Sequence, residues 1–101
     1  MALLGRSEVS PQIMSDRTEQ IRELMLLELG RCKADAQSGI ARRVRYALDA
    51  QGLWYLRSEL MAALASSYGE TIASQKIAGI SNMFRGLLPD SLIRNLSGRR
   101  R

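Results

Sequence analysis

The chain has 101 residues, a formal net charge of +5, a single cysteine and no histidine. That length supports one domain with one small core, and the ordinary apolar content supports a compact fold over disorder. The missing histidine excludes triads and metal sites built on imidazole, and the lone Cys32 excludes an intramolecular disulfide, so neither cofactor nor metal is expected.

The first 14 residues mix Gly5, Ser7, Ser10 and Pro11 without a period and read as a flexible arm. Met14 sits directly ahead of the first helix signal and is a candidate alternative translation start. The opening residues lack the basic leader and long apolar stretch of a signal peptide. The longest apolar run, residues 60–65, falls far short of the roughly 20 residues that span a bilayer, so a soluble cytoplasmic protein is expected.

Between Pro11 and Pro89 there is no proline, and apolar residues recur every three or four positions. Proline breaks helix interiors, so the stretch reads as helix after helix. Asp16 and Glu19 have a spacing close to a capping box. Ile21, Met25, Leu29, Cys32 and Ala36 then predict a first helix over 17–37, with Cys32 buried on its stripe. The steps continue through Ile40 and Val44. Each step of four, however, leans about 40° round a straight helix, which takes a long stripe off one face. A break at Ser38 and Gly39 is therefore expected. The second helix would cover 40–50, with Ile40, Val44, Ala47 and Leu48 inward and Gly52 as the stop.

The third helix is expected over 53–67, with Trp54, Arg57, Leu60, Met61, Leu64 and Tyr68 on one side and Gly69 as the turn. The fourth, over 70–85, carries Ala73, Ile77, Ile80 and Phe84. Gly79 weakens that helix, which suggests close approach by another helix backbone. Gly86 suits a left-handed cap ahead of Pro89. Residues 90–96 are expected to hold one short helical turn. No segment alternates with the period of a strand. The expected fold is all-α, a bundle of about four helices over 15–96, flanked by the arm 1–14 and a basic tail 97–101.

No glycine-rich phosphate loop is present, and carboxylates occur mostly as isolated members of charged faces, so no enzyme and no small-molecule substrate is expected. Residues 16–96 hold 11 basic and 9 acidic side chains, which leaves much of the positive excess to the terminal Arg99, Arg100 and Arg101. Arg42, Arg43 and Arg45, with Tyr46 one turn from Arg42, form a candidate phosphate-contacting cluster. The ordinary reading, pairing with Asp49 and Glu28 or facing water, outweighs it. Leu64-Ala65-Ser66-Ser67-Tyr68-Gly69 fits the L-A-x-x-x-G segment of helix-turn-helix units. Beyond the glycine the match weakens, because the usual buried aliphatic would fall near Gln75 and the aliphatic here is Ile77.

Apolar helix positions exceed what one small core absorbs. Leu53, Trp54 and Tyr55 point in successive directions about 100° apart, and Ile72 and Met83 lie opposite the main stripe of the fourth helix. These five are the candidate interface, with Trp54 also the largest candidate for the core. The leading expectation is a non-enzymatic protein-interaction or regulatory module, a homodimer without membrane contact. The alternative is a nucleic-acid-binding regulator that uses Arg42, Arg43 and Arg45 with the Arg99, Arg100 and Arg101 tail.

Overall fold

Ser10 and Pro11 start the first helix, as their chemistry favours. The Ser10 hydroxyl accepts from the Ile13 amide at 3.2 Å, and proline at the first helical position gives up a donor that would have no partner there. The computed structural model describes residues 10–32 and 34–93, with the backbone alone for 34–38. Helix α1 runs Pro11–Gly30, so residues 11–14, expected in a flexible arm, are helical. Asp16 does not cap the helix. It lies inside it and accepts from Gln12 Nε2 one turn earlier, at 3.0 Å. The remainder of the arm, residues 1–9, and the tail 97–101 lie outside the described residues.

The break between the first two helices falls between Gly30 and Ala34, not at Ser38 and Gly39. Helix α2 (Ala34–Tyr46) runs through Gly39, where among the described residues an added Cβ would meet only the end of the Arg43 side chain, at 3.8 Å, and no turn is imposed. Cys32 therefore sits in the connection, where it is buried and its thiol donates to the Glu28 carbonyl at 3.4 Å. Helix α2 also ends four residues before the expected 50. Asp49 adopts an extended backbone and accepts from the Gly52 amide at 2.9 Å, which caps a new short helix, α3 (Ala50–Tyr55). Gly52 belongs to the first turn of that helix and is not the stop of the one before.

The expected third helix is thus α3 followed, after Leu56, by α4 (Arg57–Tyr68). Gly69 alone joins α4 to α5 (Glu70–Met83). Its φ of 87° and ψ of 161° lie in a region essentially restricted to glycine. Gly86 also has a φ of 87°, as expected of a left-handed cap. Residues 90–93 form a last helical turn.

The fold is all-α, and no strand occurs among the described residues. Helices α4 and α5 pack most extensively, and α1 touches α2, α4 and α5. The shared core comprises Ile21, Met25 and Leu29 of α1, Ile40 and Val44 of α2, and Leu53 and Trp54 of α3. Leu60 and Leu64 of α4, Ala73 and Ile80 of α5, and Phe84 complete its centre. These are the three- and four-residue steps read from the sequence, buried as an amphipathic helix requires. No helix is long and apolar enough to cross a membrane among the described residues.

Gly79 does not support a close helix approach, since a Cβ there would meet nothing within 4 Å. Gly69 and Gly79 should therefore respond to alanine in opposite directions. Gly69→Ala is expected to destabilise the fold by about 1–3 kcal/mol through backbone strain. Gly79→Ala is expected to stabilise it by up to about 1 kcal/mol through helix propensity. Urea denaturation of both variants checks the pair.

Candidate interaction surfaces

Two arginines of α1 tie the bundle together through carbonyls left open at helix ends. Arg22 Nη1 donates to the carbonyls of Val44, Arg45 and Ala47 at 2.8, 3.2 and 2.8 Å, closing α2. Its Nε and Nη2 hold both oxygens of Glu19 at 2.9 and 3.0 Å, a hydrogen bond that keeps the Glu19 carboxyl below its ordinary range. Arg17 Nη2 donates to the carbonyls of Met83 and Arg85 at 3.1 and 2.8 Å beyond α5. Neither role is legible in sequence, because the carbonyls come from distant turns.

Of the expected interface residues, Leu53 and Trp54 are core. Leu53 is fully buried and Trp54 nearly so, its ring edge-on to Phe84 with centroids 5.1 Å apart. The short helix α3 directs both inward, as expected of Trp54 as the largest candidate for the core. Met83 is half-buried against the core, while Tyr55 and Ile72 are exposed. Leu48, expected inward, is 95 % exposed because α2 has ended before it.

Leu48 stands at an open groove of about 410 Å³ at one end of the bundle. Met14 lines it from α1, Ala50 from α3, and Leu87, Leu88 and Pro89 from the segment after α5. Its acidic lining residues, Glu19 and Asp49, are already engaged with Arg22 and the Gly52 amide. Ser15, Thr18 and Gln51 also line the groove, whose surface is only somewhat more apolar than polar.

The arginine cluster is only partly held. Arg42, Arg43 and Arg45 are exposed, as is Tyr46. Arg43 pairs with Glu59 of α4, not with Asp49 or Glu28. Asp49 is occupied as a helix cap. Glu28 is buried with Lys76, whose Nζ lies 3.2 and 3.3 Å from its two oxygens, and Arg31 lies 3.9 Å away. Among the described residues Arg42 and Arg45 have no ion-pair partner. Arg99, Arg100 and Arg101 lie outside the described residues. The exposed positions of α5, the second helix of the L-A-x-x-x-G unit, include Thr71, Ser74, Gln75, Ala78 and Asn82, without a cation to meet phosphate. No group of three or more potential metal-ligating side chains gathers among the described residues.

Comparison with known proteins finds no matching family model, no matching curated protein and no matching solved structure.

Proposed function

We propose that the chain is a non-enzymatic helical interaction module of the cytoplasm that self-associates about a two-fold axis. The observation that carries this reading is Leu48, almost wholly exposed at the rim of the groove. A two-fold interface must be complementary to itself. One patch here offers both a projecting leucine and a depression lined by Met14, Leu87 and Leu88 to receive its counterpart. Glu19 is paired with Arg22 within the chain, and Asp49 accepts from the Gly52 amide as a helix cap, which leaves Asp49 as the one acid of the patch without an ion-pair partner among the described residues. Sedimentation equilibrium at micromolar concentration is expected to give twice the chain mass. A strict monomer overturns the reading.

A second reading, nucleic-acid binding, is favoured by the exposure of Tyr46 beside Arg42 and Arg45, which lack ion-pair partners among the described residues. Those arginines, with Arg43 and the Arg99, Arg100 and Arg101 tail, would contact phosphates, and affinity would fall steeply with salt. Titration with duplex DNA and single-stranded RNA at two salt concentrations separates the readings, and no binding at low salt removes this one.

A further inference from the structure

Five consecutive residues at the end of α5 collect three guanidinium groups. Arg57 Nη1 donates to Ser81 Oγ at 2.6 Å, Arg85 Nε to Asn82 Oδ1 at 3.3 Å, and Arg17 to the carbonyls of Met83 and Arg85. Among the described residues no carboxylate lies within ion-pair distance of any of the three. The helix end itself supplies only about half a negative charge. Positive charge is therefore left uncompensated at this end of α5.

Arg57 is the most constrained of the three. Its guanidinium lies 3.3 Å from the centre of the Trp54 ring, and its Nε donates to the Trp54 carbonyl at 3.1 Å. It is half-buried, and that burial lowers its pKa below the ordinary arginine value. A desolvated cation gains most from an anion placed beside it, and a guanidinium held flat presents its remaining N–H groups as a ready fork for a carboxylate. Two of its five donors are used internally, which leaves part of the fork open. Arg85 is exposed and is anchored at Asn82, the residue that follows the Ser81 anchor of Arg57.

We propose that Arg57 and Arg85, positioned with Arg17 at the end of α5, bind carboxylates on an acidic segment of a partner protein. A protein segment fits better than a nucleic acid because Arg22, Arg31, Arg43 and Lys76 are each paired with a carboxylate. Arg42 and Arg45, without ion-pair partners among the described residues, lie on α2, which packs on α1 and α4 and does not extend this cluster at the end of α5. A phosphate backbone asks for an extended basic stripe, whereas a few guanidinium forks suit one or two carboxylates. The three arginines are not among the residues that line the Leu48 groove, and peptide binding is measured apart from self-association.

The test is fluorescence anisotropy of a labelled octaglutamate peptide with the full chain, with octaglutamine as the neutral control. Emission of Trp54, the only tryptophan, is read in parallel as the reporter of place. Saturable binding of octaglutamate alone is expected, with a change in Trp54 emission. Affinity should fall about tenfold or more in Arg85→Gln and in Arg57→Lys, which keeps charge but loses the fork. Arg85→Gln alters an exposed side chain, and its unchanged circular dichroism melt would show that the loss is not unfolding. Absence of saturable binding overturns the proposal, as does an affinity in both variants equal to that of the parent chain. Binding of duplex DNA, lost in the same variants and without octaglutamate binding, overturns the acidic-peptide assignment in favour of phosphate.

Discussion

Trp54→Ala is expected to remove a large share of the chain's stability and to lower its melting temperature sharply. Truncating a buried tryptophan typically costs about 3–5 kcal/mol, while a chain of this length is stable by roughly 5–15 kcal/mol. Three particulars push toward the upper end. The indole is only 2 % exposed, its edge-on pair with Phe84 is lost, and Arg57 loses the ring on which its half-buried charge rests. Trp54→Phe isolates the cause. The indole Nε1 has no hydrogen-bond partner among the described residues, so phenylalanine gives up volume without giving up a bond there. It should melt cooperatively, at a cost well below that of alanine. Tyr55→Ala, one residue on but exposed, should keep the fold. Circular dichroism during thermal melting checks all three, and a Trp54→Ala protein that melts near the parent temperature would overturn the assignment of Trp54 to the core.

The core was legible because burial follows helical spacing. Ile21, Met25 and Leu29, and likewise Ala73, Ile80 and Phe84, are buried at the steps the sequence shows. Boundaries were harder, since a stripe that leans round the helix says that a break is needed without saying where. Gly39 attracts the break because glycine ends helices often, yet α1 stops at Gly30 and α2 starts at Ala34 and carries Gly39 inside it. Two capping signals would have corrected this at other ends. Ser10 before Pro11 marks the true start of α1, and Asp49 three residues before Gly52 marks the start of α3. Reading Asp49 as a cap forces α2 to stop earlier and leaves Leu48 between helices, free of any inward face. The roles of Arg17 and Arg22 lay beyond such reading. Their partners are carbonyls that become available only after the helices pack.

That exposed leucine sets the second large effect. Leu48→Asp is expected to abolish self-association while leaving the melting temperature of the monomer nearly unchanged. Burying one leucine side chain contributes about 1.5–3 kcal/mol, and two-fold symmetry counts it twice. Loss of both therefore weakens association by roughly 3–6 kcal/mol, about a hundredfold to ten-thousandfold in Kd. Aspartate adds the cost of placing two further carboxylates near Asp49 in an apolar contact. Leu48→Ala, which removes area without adding charge, should fall between aspartate and the parent. Stability of the monomer is spared because a side chain 95 % exposed has little packing to lose. Ile72→Ala and Tyr55→Ala serve as controls, since both alter exposed apolar residues outside the groove. Sedimentation equilibrium across a concentration series measures each constant. A Leu48→Asp chain that dimerises like the parent, with Ile72→Ala or Tyr55→Ala weakened instead, would move the interface away from the groove while keeping self-association, whereas a monomeric parent would remove both.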